Sequence, residues 1–211
     1  TDLYPSRMEA AKSAAQLFVN ELPEKMRVGV VSFSETSYLN QTPTTDRAKV
    51  LKAIKKLEPR SGTAIGNGLL TSLDAVYGAM GAELPHTDMG TFAPAVIVLL
   101  TDGENTDGIE PMDTMDAAVQ HGVRVYTIGI GSPESATIQR GKAAIQARLD
   151  EVTLKEIAQI TQAKYYNAST EKDLRAVYQN LTTQLVTRIQ PHDISFLFIA
   201  SAFFLGVLAL A

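Results

Sequence analysis

The chain has 211 residues, no cysteine and a net charge of -4. The lack of cysteine excludes disulfides, zinc fingers and thiol catalysis. Lys and Arg are scattered, so no basic stripe for nucleic acid exists, and the length suits one well-cored domain with a short appendage.

Helix and strand signals alternate along the chain. Ser6-Arg7-Met8-Glu9 has the pattern of a capping box. Met8, Ala11, Ala15, Phe18 and Leu22 then recur at spacings of three and four, which gives one apolar helix face, and Pro23 ends the helix. Val28 to Phe33 reads as a buried strand and Ser37 to Leu39 as a short edge strand. Thr45 or Asp46 caps a second helix through Val50, Leu51, Ile54 and Leu57. A loop over Pro59 to Thr63 precedes a third helix through Ile65, Leu69, Leu73 and Val76, and residues 78–93 read as a surface loop rich in Gly, Pro and Met.

The run from Ala95 to Thr101 has no polar alternation and stops at Asp102-Gly103. Such a run is a strand buried on both faces, as in the middle of a parallel sheet. A polar loop follows to Glu110, and Pro111 opens a helix running to about His121. Val123 to Ile130 is a further strand, and residues 132–151 read as an insertion that could form an extended pair. Thr153 to Thr161 is a helix, Lys164 to Asn167 a short strand, and Ser169 to about Arg188 a last long helix. This alternation predicts an α/β domain over residues 1–188 with a doubly wound, mostly parallel sheet.

Residues 189–193 read as a linker with a break at Pro191, and Ile194 to Ala211 as an uncharged apolar run. As a helix its 18 residues would be about 27 Å long, near the ~30 Å hydrocarbon thickness. A transmembrane helix is therefore expected there, with its orientation unset because no charges follow it.

Two loops could carry chemistry. Ser61-Gly62-Thr63-Ala64-Ile65-Gly66-Asn67-Gly68 and Thr101-Asp102-Gly103-Glu104-Asn105-Thr106-Asp107-Gly108 offer hydroxyl and carboxylate oxygens and no nitrogen or sulfur ligands. Hard oxygen donors favour Mg²⁺, Mn²⁺ or Ca²⁺ over zinc or copper. Asp102 lies where doubly wound sheets bind ligands, beyond a strand's carboxyl end, and has no Lys or Arg within five residues in sequence. The glycines do not spell a phosphate loop, since neither the dinucleotide fingerprint nor a Walker lysine is present. Taken singly, Thr63 could be a helix cap and Asp102-Gly103 a turn; the ordered pair points to a metal site. His86, His121 and His192 lie in separate segments, and no serine triad or nucleophile elbow occurs. Asp107 and Glu110 read as a solvated loop face.

With these residues in place the chain resembles a von Willebrand factor type A (VWA) domain, of the bacterial membrane-anchored kind found in Bat-type aerotolerance proteins. The resemblance runs from residue 1 to about 185. It rests on Thr1 to Arg7, Ser61 to Gly66, Leu99 to Asn105, Val125 to Gly131 and Leu154 to Tyr166. It implies a metal-ion-dependent adhesion site built from an Asp-x-Ser-x-Ser segment after the first strand, then a Thr and an Asp from two later loops. Thr63 matches the Thr and Asp102 the Asp. The resemblance implies that Thr63 coordinates the ion when a ligand is engaged and that Asp102 reaches it through water. An open coordination position then takes an acidic group of a partner protein.

The Asp-x-Ser-x-Ser segment is absent from this sequence. The expectation is a chain cut at its N-terminus, lacking both that segment and the first, central strand between the Val28 and Ala95 strands. The function implied is non-enzymatic and membrane-anchored: metal-dependent protein interaction at the bacterial inner membrane. The implied partners are a MoxR-type AAA+ ATPase and sibling VWA proteins, in envelope stress tolerance. The alternative is a Mg²⁺-dependent hydrolase or phosphoryl-transfer enzyme using Asp102, Glu104 and Asp107, and a third reading is a scaffold with a vestigial site.

Overall fold

The computed structural model describes residues 6–80, 95–131, 136–140, 143–147 and 149–188. The elements follow in the order α1 (Arg7–Glu21), β1 (Val28–Phe33), β2 (Ser37–Thr44), α2 (Arg47–Lys55), α3 (Ile65–Met80) and β3 (Val96–Thr101). A 3₁₀ turn (Pro111–Thr114) leads into α4 (Met115–Gln120). Then come β4 (Arg124–Ile130), β5 (Ala136–Arg140), β6 (Ala143–Ala147), α5 (Glu151–Ile160), β7 (Tyr165–Ala168) and α6 (Glu171–Arg188).

Local chemistry sets the helix starts. The Ser6 hydroxyl accepts the Glu9 N–H at 3.2 Å, so the expected cap of α1 forms. Of the two candidates for α2 it is Asp46 that caps, accepting from the Lys49 N–H at 3.2 Å. At α6 the Thr170 hydroxyl accepts from the Asp173 N–H while the Asp173 carboxylate accepts from the Thr170 N–H, which moves the start two residues past Ser169. Helix α3 runs on to Met80, through the first residues assigned to a loop. The remainder of that expected loop, residues 81–94, lies outside the described residues.

Strands β3, β4 and β7 form a parallel ladder in that order, with Leu99 opposite Thr127 and Gly129 opposite Asn167. Strands β1 and β2 form a separate antiparallel pair, and β2 is longer than expected at eight residues. It exposes Tyr38 and Leu39 beside Asn40 and Thr42, and it carries Pro43, as an edge strand tolerates. Strands β5 and β6 pair antiparallel, with Ile138 opposite Ile145, so the insertion after β4 is an extended pair.

Every residue of β3 is buried. Val96, Val98 and Leu100 pack into one apolar layer with Phe18 of α1, Ile54 of α2 and Leu181 of α6. Ile97 and Leu99 pack into the other, with Leu69 of α3, Ala118 of α4 and Ile157 of α5. An unbroken apolar sequence is what two-sided burial requires, and each large aliphatic side chain contributes roughly 1.5–3 kcal/mol.

Among the described residues no ladder joins β1 to β3, although Val28 and Val30 share a core layer with Val96 and Val98. The strand expected from the resemblance would lie between them. Helix α5 is pinned to β4 by hydroxyls: Thr161 accepts the Val125 N–H at 3.1 Å and donates to the Ile157 carbonyl at 2.8 Å, and Thr127 donates to the Leu154 carbonyl at 2.8 Å. No helix among the described residues is long and apolar enough to cross a membrane. The expected linker and span, residues 189–211, lie outside the described residues.

Candidate metal centre

Three loops meet at one end of the sheet. The turn after β1 joins the loop before α3, because Ala64 N–H donates to the Ser34 carbonyl at 2.6 Å and Glu35 N–H to the Ser61 carbonyl at 3.1 Å. The loop before α3 joins the loop after β3 through Thr63. Its carbonyl accepts the N–H groups of Thr106 and Asp107 at 2.9 and 3.2 Å. Its N–H donates to the Thr106 hydroxyl at 2.9 Å and to Asp107 Oδ2 at 3.1 Å. Thr63 is 1% exposed.

These contacts explain the glycines. Gly62 has φ +80, and a Cβ there would meet Asp107 Oδ2 and the Glu35 side chain. A Cβ on Gly66 would land on the Ile109 carbonyl. The glycines let two loops touch, and they do not form a phosphate cradle. Thr63 does not cap α3; the first helical N–H, at Ile65, donates to Asn105 Oδ1 at 2.8 Å. Asn105 thus supplies from a distant loop what a local cap usually supplies.

Asp107 departs from its expected place on a solvated loop face. It is half-buried, and its carboxylate receives both the Thr63 N–H and, at 2.7 Å, the Thr106 hydroxyl. Glu104 and Glu110 are exposed. Among the described residues no three His, Cys, Asp or Glu side chains converge as a metal-ligand group, so Asp102, Glu104 and Asp107 do not gather as the hydrolase reading requires.

Asp102 is 9% exposed at the carboxyl end of β3. Sequence neighbours give it no cation, but the fold does: Arg7 Nη1 lies 3.1 Å from Asp102 Oδ2. Beside this pair Gly131 ends β4 with φ +117, pinned by its own N–H to the Ala168 carbonyl. The Gly131 carbonyl accepts from Asn167 Nδ2 at 3.2 Å. Asn167 also donates to Glu151, whose carboxyl is held below its usual range chiefly by a hydrogen bond from Lys155. Burial pushes the neighbouring Tyr165 hydroxyl up to about 12.

The sequence matches the model of the von Willebrand factor type A domain over residues 3–184. The chain belongs to that family. A UPF0353 protein of Mycobacterium tuberculosis is 34% identical to this VWA chain over 191 residues, which cover 88% of the chain and 56% of the relative. The chain thus spans little more than half the length of that curated relative. An aerotolerance-related membrane protein from Bacteroides fragilis, 22% identical, superposes with a TM-score of 0.70 over 88% of this chain and 91% of its own. Proximal thread matrix protein 1 of the mussel byssus, in a structure described as having a zinc-occupied MIDAS motif, is 21% identical. It gives a TM-score of 0.63 over 85% of this chain and 42% of its own. At these identities the two structures establish the VWA fold.

The residues present suit a divalent ion in donor type. The Thr63 hydroxyl and the Asp102 carboxylate are hard oxygen donors, both buried, on two loops laced together. Two side chains fall short of the roughly six oxygens such an ion takes.

Proposed function

We propose that this VWA domain is a protein-interaction module that captures an acidic group of a partner through a divalent ion held by Thr63 and Asp102. The observation that carries the reading is the lacing of the Thr63 loop to the loop that follows Asp102. It brings two oxygen-bearing segments, about 40 residues apart in sequence, to one end of the sheet. A bound Mg²⁺ or Mn²⁺ would supply a Lewis-acidic position for a carboxylate. Thr63 would offer its hydroxyl, Asp102 its charge, and the loop hydrogen bonds would hold both in place beforehand.

The remaining donors are assigned to an Asp-x-Ser-x-Ser segment carried on a strand between β1 and β3. Support comes from the unjoined ladders that share one core layer. For the wider setting we assign a Bat-type role: anchoring to the bacterial inner membrane through residues 194–211, with a MoxR-type AAA+ ATPase as partner. The Bacteroides fragilis relative, described as an aerotolerance-related membrane protein, supports that setting.

Calorimetric titration of Mg²⁺ and Mn²⁺ into the complete natural protein tests the core of the reading, with Asp102→Ala as control. Binding that the substitution abolishes is the expected result. A folded wild-type protein that binds neither ion would overturn it and leave a metal-free scaffold.

A further inference from the structure

Arg7 is the side chain that the metal reading leaves unexplained. Ser6 caps α1, so Arg7 is fixed at the first helical position. That position is unfavourable for a cation, because the N-terminal end of a helix carries partial positive charge. A solvated arginine could turn away, yet this one is only 22% exposed and reaches Asp102 at 3.1 Å. Gly131 leaves it space: an added Cβ there would lie 3.3 Å from Arg7 Nη2. The arrangement therefore gives a buried carboxylate its counter-charge, which such a group requires.

A protonated guanidinium has no lone pair to offer a metal, so its place beside a proposed metal-site carboxylate has a consequence. A divalent ion and Arg7 both draw on the same negative charge, and they repel each other at short range.

We propose that Arg7 is an internal counter-cation that competes with the divalent ion for Asp102, holding the carboxylate in the ion-free domain and lowering its affinity for the ion. The proposal rests on the metal reading above. Arg7 is in this sense a positioning residue: it acts on the ion through Asp102. Because the pair is broken or loosened as the ion binds, the ion-free state is stabilised relative to the loaded one. The centre is thereby set to fill at a higher ion concentration than its oxygens alone would dictate.

The test uses the complete natural protein in four forms: wild type, Arg7→Met, Arg7→Lys and Asp102→Ala. Each is titrated with Mg²⁺ by calorimetry and melted with and without saturating ion. Arg7→Met is expected to bind Mg²⁺ about tenfold more tightly than wild type, within the usual range for coupled sites. It should melt lower than wild type without the ion and regain the difference when the ion saturates. Arg7→Lys, which keeps the charge, should stay close to wild type in affinity.

If Arg7→Met binds no tighter while Asp102→Ala abolishes binding, the metal reading stands and the competition is refuted. An equal fall in melting temperature with and without the ion also refutes it, and makes Arg7 a purely structural contact. Binding by none of the four overturns both readings.

Discussion

The two sides of the candidate centre are held by different forces. Thr63 is fixed through its backbone, its carbonyl taken by two amides of the facing loop and its N–H shared between the Thr106 hydroxyl and the Asp107 carboxylate. Asp102 is held by a charge that arrives from the far end of the sequence, 95 residues away. Hydrogen bonds of the first kind stay put whatever ion is present. An ion pair of the second kind yields to a stronger cation. One side of the centre is thus built in advance and the other is adjustable.

Substitutions on each side can break or sharpen that contrast. The largest effect is expected from Asp102→Asn, which keeps the shape and removes the charge. Ion binding should fall below calorimetric detection, while the loop bonds of Thr63 persist. Next comes Gly66→Ala on the preformed side, whose new methyl would meet the Ile109 carbonyl and force the two loops apart. Urea unfolding should show a loss of about 2–3 kcal/mol, the upper part of the usual range for overpacking.

Asn105→Ala is a milder test of the same side. It removes the acceptor for the Ile65 N–H and the donor to the Ile109 carbonyl. By analogy with cap deletions the expected loss is about 1 kcal/mol in urea, with weaker ion binding as the loops loosen. A preformed side predicts that this loss is the same with Arg7 present or replaced, which a double-mutant cycle reads directly.

The smallest effect should come from residues remote from both loops. Burial pushes the Tyr178 hydroxyl well above its ordinary value and that of Tyr165 up to about 12. A folded value above the unfolded one of about 10 means that the stabilising contribution is complete below pH 10. It is lost as pH rises from there toward 12. Among the described residues the buried Tyr178 hydroxyl has no hydrogen-bond partner. Tyr178→Phe should therefore leave stability at pH 7 within about 1 kcal/mol of wild type and flatten its decline above pH 10. Chemical denaturation across that range measures both.

The contrast between near and far also divides what the sequence revealed from what it hid. Strand β3 was legible because burial on both faces demands an uninterrupted apolar run, and the caps at Ser6 and Asp46 because capping acts over three residues. The outer strand β2 was read too short, since its polar residues Asn40 and Gln41 carry no apolar signal on an exposed edge. Thr63 and Asp102 stand out in the sequence as an ordered pair, but the loop bonds of the one and the ion pair of the other do not. Asp107 was placed on the surface because its partner, the Thr63 N–H, is 44 residues away. Arg7 stands in the sequence as part of a capping pattern and of the segment Thr1 to Arg7 that carries the resemblance, with nothing to tie it to Asp102. Contacts of that span leave no periodicity, and only the fold brings them together.

The Thr161 hydroxyl carries one more consequence. It occupies the Val125 amide, which ties that proton to α5 instead of leaving it to the sheet alone. Deuterium should therefore enter at Val125 when α5 lifts, before the neighbouring amides of β4 exchange by wider opening. A single amide then serves as a clock for the detachment of one helix, and Thr161→Val would set it running faster.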